Sequence, residues 1–234
     1  MNDSLLLEIS VETLGSAGAA ERGGAHRIEL CSDLSAGGVT PQADLMRKTR
    51  AAVRIPVFAM IRPRGGSFVY SDAEFAQMRR DIELAKSCKM DGLVLGILHA
   101  DNTVDIERTR ELVNIAQPLP ITFHRAFDET ANVHEALEAV IKTGATRILT
   151  SGGKRTAELG AGIIADLVAA AGDRITILPG GGVNTSNLAE IIRATRAHEF
   201  HSGLGTTLPY GQSSEAAFFS AVHELADLLC AGGH

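Results

Sequence analysis

Short apolar runs closed by a polar residue recur along the chain: LLLEIS, RIELC, VFAMIR, ITFHRAFD, RILTSGG, ITILPGGG and EFHSG. Each reads as a strand, and with an eighth apolar run, GLVLGIL, the starts fall near Leu5, Arg27, Val57, Gly92, Ile121, Arg147, Ile175 and Glu199. That cadence is one strand and one helix per step, repeated eight times. Helix signals lie between the runs: Thr40 before Pro41, a capping box of Ser71 with Glu74, and another of Asn132 with Glu135. Leu159, Ile163, Ile164, Leu167 and Val168 are spaced to bury one stripe against a sheet.

Eight βα steps predict a single-domain (β/α)8 TIM barrel over residues 1–234. An open doubly wound sheet is the runner-up, but it would carry a GxGxxG loop after its first strand, and no convincing one is present. No linker or low-complexity run divides the chain. The longest irregular stretches follow the second, third and eighth strands, which makes them loops of the functional face. A composition that is 45% hydrophobic suffices for a full core at this length.

Polar groups gathered at strand C-termini are where a parallel α/β protein builds its site. Strand alternation would turn Glu8, Ser10, Glu29, Cys31, Arg62, His124, Thr150 and His201 inward near one mouth. Glu8 and Glu29, close together or beside an arginine, would have their pKa values pushed apart for acid and base work. His124 and His201 could shuttle protons there. Asp128 follows just beyond the strand that carries His124; it could orient that ring, pair with Arg125, or cap the next helix. The catalytic candidates are therefore Glu8, Glu29, His124 and Asp128.

A second set of residues suits an anion. Gly180, Gly181 and Gly182 precede Asn184, with Thr185 and Ser186 expected to open a helix, and Ser202 and Gly203 close the eighth strand. Loops after strands seven and eight of barrels commonly cradle phosphate, although the same glycines would also serve a tight turn. Arg62 and Arg64, in Arg62-Pro63-Arg64-Gly65-Gly66, have guanidinium forks suited to carboxylate or phosphate; equally, Arg62 would neutralise Glu8 and Glu29. The anion-binding candidates are Arg62, Arg64, Thr150, Gly181, Gly182, His201, Ser202 and Gly203.

Charge and cysteine usage narrow the classes. With 22 Lys and Arg against 28 Asp and Glu, the net charge of -6 disfavours nucleic acid as a partner. No apolar run approaches the roughly 20 residues that span a bilayer, and the start lacks the basic and apolar regions of a signal peptide, so a soluble cytoplasmic protein without a membrane partner is expected. Cys31, Cys88 and Cys230 form neither a disulfide framework nor a CxxC zinc pattern. HExxH, EF-hand and GxSxG motifs are absent.

The segments ERGGAHRIELCSDLSAGGVTP, IRPRGGSFVYSDAEF, ITFHRAFD and RILTSGG, in that order, resemble the CutC family. The resemblance implies a cytoplasmic barrel, forming a homodimer, with copper binding and a role in copper homeostasis. It also implies a copper(I) site made from a cysteine in an E-x-C motif on the first strand and the cysteine of an E-L-C motif on the second. Here the second motif stands as Glu29-Leu30-Cys31, while the first reads Glu8-Ile9-Ser10. Copper(I) prefers soft donors, and a serine oxygen is a poor substitute. Cys31 would need His201 or Met60 as a further donor; Cys88 and Met90 lie far from the mouth. Two readings of function follow: a copper-homeostasis protein with a copper ion as ligand, or a barrel enzyme or binder for a small anionic metabolite, phosphorylated or not. A scaffold whose mouth charges merely neutralise one another is the third.

Overall fold

A computed structural model of the chain describes residues 5–204 and 214–232. Eight parallel strands follow one another around a barrel: β1 (Leu6–Val11), β2 (Arg27–Leu30), β3 (Val57–Met60), β4 (Gly92–Leu95), β5 (Ile121–Phe123), β6 (Arg147–Thr150), β7 (Thr176–Pro179) and β8 (Glu199–Ser202). Strands β1 to β7 are hydrogen-bonded in sequence, β8 pairs back onto β1, and β7 lies beside β8 without a ladder between them, so the ring is nearly closed. That order rules out the doubly wound alternative.

Among the described residues eight α-helices form the outer layer: α1 (Leu14–Arg22), α2 (Ala43–Ala52), α3 (Asp72–Ser87), α4 (Ile106–Ala116), α5 (Val133–Thr143), α6 (Ala161–Ala171), α7 (Leu188–Thr195) and α8 (Glu215–Gly232). Ser71 and Glu74 cap α3 reciprocally, as their spacing predicts. Asn132 caps α5 by accepting from the backbone of His134 and Glu135. Thr40 does not open α2, which begins at Ala43 after Gln42; its hydroxyl bonds the Arg62 backbone instead and ties two loops together. Leu159 is 64% exposed and precedes α6, so only Ile163, Ile164, Leu167 and Val168 make that stripe. The loop after β8 falls largely outside the described residues.

Alternation along each strand separates two interiors. Leu7, Ile9, Ile28, Leu30, Leu93, Leu95, Ile148 and Phe200 join the main core under the helices. Inside the barrel are Phe58, Met60, Val94 and Cys31, packed together, and a buried set of charges. Arg27 bonds Glu8 through Nε and Glu199 through Nη2 at 2.6 Å, while Arg147 reaches Glu199 at 2.9 Å. Both guanidinium groups stand over the Phe58 ring, 4.9 and 5.0 Å from its centroid. Glu8 is fully buried. Removing Arg27 alone therefore leaves an uncompensated charge in the barrel. Arg27→Met is expected to cost about 3–5 kcal/mol in denaturant unfolding, with much of it recovered in Arg27→Met combined with Glu8→Gln. Full additivity of the two changes would show that they are not coupled.

Candidate functional site

The register between β1 and β8 sets the site. Glu8 sits opposite His201, and between β1 and β2 Ser10 sits opposite Glu29. Because Glu8 and Ser10 share a face, one histidine meets both. His201 Nδ1 lies 2.7 Å from Glu8 Oε1, and its Nε2 lies 3.0 Å from Ser10 Oγ and 3.8 Å from Glu29 Oε2. Cys31 Sγ donates to that same Glu29 oxygen at 3.6 Å.

Burial and charge set the protonation of this cluster. Burial would raise the Glu8 carboxyl, but Arg27 and the His201 hydrogen bond outweigh it and hold Glu8 well below the usual carboxylate range. Glu29 goes the other way: burial raises it, and the Glu8 charge adds to the effect against opposition from His201. The two carboxyls are thus pushed apart, as anticipated, although the arginine responsible is Arg27 rather than Arg62. Burial lowers His201, and the two glutamates overcome that to raise it. Burial, then Glu29, pushes the Cys31 thiol well above its ordinary value.

Donor atoms of Glu8, Glu29 and His201 all lie within 4.8 Å of one another. Such oxygen and imidazole donors suit a harder cation than copper(I). Arg27 already neutralises Glu8, and His201 is engaged at both ring nitrogens, so this cluster is a hydrogen-bonded charge network as it stands.

A cavity of about 200 Å³ opens at the mouth above the network. Ser10, Glu29, Arg62, His124, Arg125 and His201 supply its polar lining, with Gly181, Gly182 and Gly203 on one wall and Met60 and Phe68 on another. A larger groove of about 530 Å³ runs along the outer wall beside α4 and α5, lined by His99, Asp105 and Asn132 among others, away from the barrel interior. The perturbed groups converge on the mouth.

Arg62 does not pair with Glu8 or Glu29. Its Nη1 donates to the carbonyls of Ala36, Gly37 and Gly38 at 3.1 Å each, its Nη2 to Gly66 at 2.8 Å, and its guanidinium lies over Phe68. These bonds lock the loops after β2 and β3 together and leave Nε without a hydrogen-bond partner. His124 is closely similar. Gly96 leaves room for the ring, Nδ1 accepts from the Ala126 backbone at 3.2 Å, and Nε2 has no partner. Glu29 Oε1 is the third such buried atom in the cavity lining.

Other expected residues stand elsewhere. Asp128 does not touch His124; it bonds Arg125 Nε at 2.8 Å, Thr150 Oγ1 at 2.5 Å and the backbone of Ser151 and Gly153, a knot that joins the loops after β5 and β6. Thr150 shares the outward parity of Ile148, so Leu149 lines the mouth in its place. Ser202 likewise turns outward and donates to the Val183 carbonyl at 2.7 Å. Arg64 is held by Glu74 at 2.6 Å and by loop carbonyls, outside the cavity. The helix after the glycine loop opens at Leu188 and not at Thr185. Gly181, at φ +96°, brings the backbone against the Arg125 guanidinium, which also bonds Ser151. Sequence reading overlooked Arg27, Arg147 and Glu199, although each lies two residues before an inward residue of its own strand.

The fold and site define a (β/α)8 barrel with a buried charge network beneath a polar mouth. The CutC family model matches residues 5–206. A human copper homeostasis protein cutC homolog is 46% identical over 209 residues, covering 89% of this chain and 77% of that protein. A CutC family protein of Vibrio cholerae is 45% identical, covering 96% of this chain and 87% of that protein. The crystal structure of CutC from Streptococcus agalactiae superposes with a TM-score of 0.81 at 35% identity, over 85% of this chain and 98% of that one. The chain belongs to the CutC family. Among the described residues no helix is long and apolar enough to cross a membrane.

His124 generates a pH prediction. Burial first, and the Arg62 charge second, lower it from 6.5 to about 3. The unfolded chain then takes up this proton before the folded one does. The stabilisation is complete above pH 6.5 and declines as pH falls toward about 3, by about 1.4 kcal/mol for each unit of pH within that window. Wild type should lose stability more steeply than His124→Gln between pH 6 and about 4.5 in urea unfolding. Parallel profiles would mean that His124 is not buried neutral.

Proposed function

We propose that this chain takes part in copper homeostasis, the role carried by the names of its relatives, and that it meets copper(I) as cargo at the barrel mouth. What supports the reading at residue level is one pairing of soft donors: Cys31 and Met60 pack in the same small cluster, and both flank Gly38. A thiolate and a thioether suit copper(I), which accepts low coordination numbers. The thiol must lose its proton to bind, and its hydrogen bond to Glu29 supplies an acceptor in place. His201 is already engaged at both nitrogens, which favours Met60 over it as the second donor.

Anaerobic titration with copper(I) against a competing chelator tests this reading. Wild type should bind one equivalent, Cys31→Ser should lose it, and Ser10→Cys, which adds a second thiol opposite Glu29, should tighten binding at least tenfold. Binding indifferent to Cys31 would remove the copper site.

A second reading, a site for a small anionic metabolite, draws on a different observation. Arg62 Nε and His124 Nε2 are buried donors with no partner, and both residues line the same cavity with Arg125 and the Gly181–Gly182 turn. Buried polar atoms are rarely left unpaired without a reason. In Gly181→Asp the new carboxylate would stand against Arg125. Binding of orthophosphate measured by calorimetry should then fall more than tenfold, and unchanged binding would set the anion site aside.

A further inference from the structure

We propose that Ser10, His201 and Glu8 form a nucleophilic relay at the barrel mouth, one that hydrolyses or transfers short acyl groups from small esters or thioesters. The relay uses neither Cys31 nor Met60, so it stands independently of copper. Its geometry is that of a serine–histidine–carboxylate triad: Ser10 Oγ is 3.0 Å from His201 Nε2, and His201 Nδ1 is 2.7 Å from Glu8 Oε1. Adjacent strands supply all three residues, with Glu8 and His201 directly paired, so the backbone ladder holds the arrangement.

Glu8 is the positioning residue. Arg27 keeps it an anion, and in the deprotonated imidazole, the form from which the relay works, that carboxylate accepts from Nδ1–H and leaves the Nε2 lone pair for the serine proton. Ser10 also lines the mouth cavity together with Arg62 and His124. Their unpartnered Nε and Nε2 donors are suited to the oxygen of a tetrahedral intermediate.

In the first step Ser10 Oγ bonds to the substrate carbonyl carbon and its proton passes to His201 Nε2. Collapse of the intermediate breaks the bond to the alkoxide or thiolate leaving group, which takes that proton. Water, the co-reactant, then attacks the acyl-serine by the same route, releasing a carboxylic acid and restoring Ser10. A cavity of about 200 Å³ restricts the acyl group to a few carbons.

Methanesulfonyl fluoride tests the relay on the full chain: it forms a bond from serine oxygen to sulfur, breaks the sulfur–fluorine bond and releases fluoride and a proton. Peptide mass spectrometry should find sulfonylation of wild type at Ser10, and modification at least a hundredfold slower in His201→Gln. Hydrolysis of p-nitrophenyl acetate should fall to background in Ser10→Ala, a change that removes a single hydroxyl. Ser10 left unmodified in wild type would overturn the proposal. So would modification that proceeds equally fast in His201→Gln, or esterase activity that persists in Ser10→Ala.

Discussion

The bond between Arg27 and Glu8 inside the barrel is the constraint on which the site depends. A carboxylate with no exposure to water survives only beside a matched cation, and here the cation stands directly opposite it on the neighbouring strand. Arg27 also reaches Glu199, which in turn binds Arg147, so two arginines and two glutamates balance one another across the barrel floor. The network fixes Glu8 as an anion, and that anion orients His201. The protonation of everything above follows from it.

The same network separates two glutamates that look alike in sequence. Glu8 faces Arg27 and stays ionised; Glu29 faces burial and the Glu8 charge, and its proton is held more tightly. His201 lies between them, with Nδ1 2.7 Å from Glu8 Oε1 and Nε2 3.8 Å from Glu29 Oε2. Cys31 sits at its edge, where burial first and the Glu29 carboxyl second raise the thiol, while that carboxyl also offers a place for its proton. A soft cargo and a small carbonyl substrate would thus meet different atoms of one mouth. Arg62 takes another part, bracing the two loops that form the rim.

Most of the fold was legible in the strand pattern, because a parallel barrel needs an apolar run, a turn and an amphipathic helix at each step, and each leaves a local signature. The strand starts at Arg27, Val57, Gly92, Ile121, Arg147 and Glu199 coincide with those observed, and the Ser71 cap stands where its spacing placed it. Site assignments were less secure wherever one step of parity mattered. Thr150 and Ser202 close their strands as His124 follows its own, yet they turn out of the barrel, to Asp128 and to the Val183 carbonyl in neighbouring loops. Arg62, Arg64 and Asp128 have the right chemistry for a ligand, but loop carbonyls, Glu74 and the β6 loop take up most of their hydrogen bonds.

The sequence by itself determined the eight βα steps, the membership of Glu8, Ser10, Glu29, Cys31 and His201 in one inward-facing set, and a serine, Ser10, where the family resemblance implies a cysteine. Those are properties of residue identity and strand period, both local. Only the tertiary structure decided which charges pair. Arg27 rather than Arg62 answers Glu8 because register across β1 and β2 brings the first two together, while the loops after β2 and β3 claim the other. It also decided that His201 bridges Glu8 and Ser10, since β1 and β8 stand at opposite ends of the chain and meet only when the barrel closes.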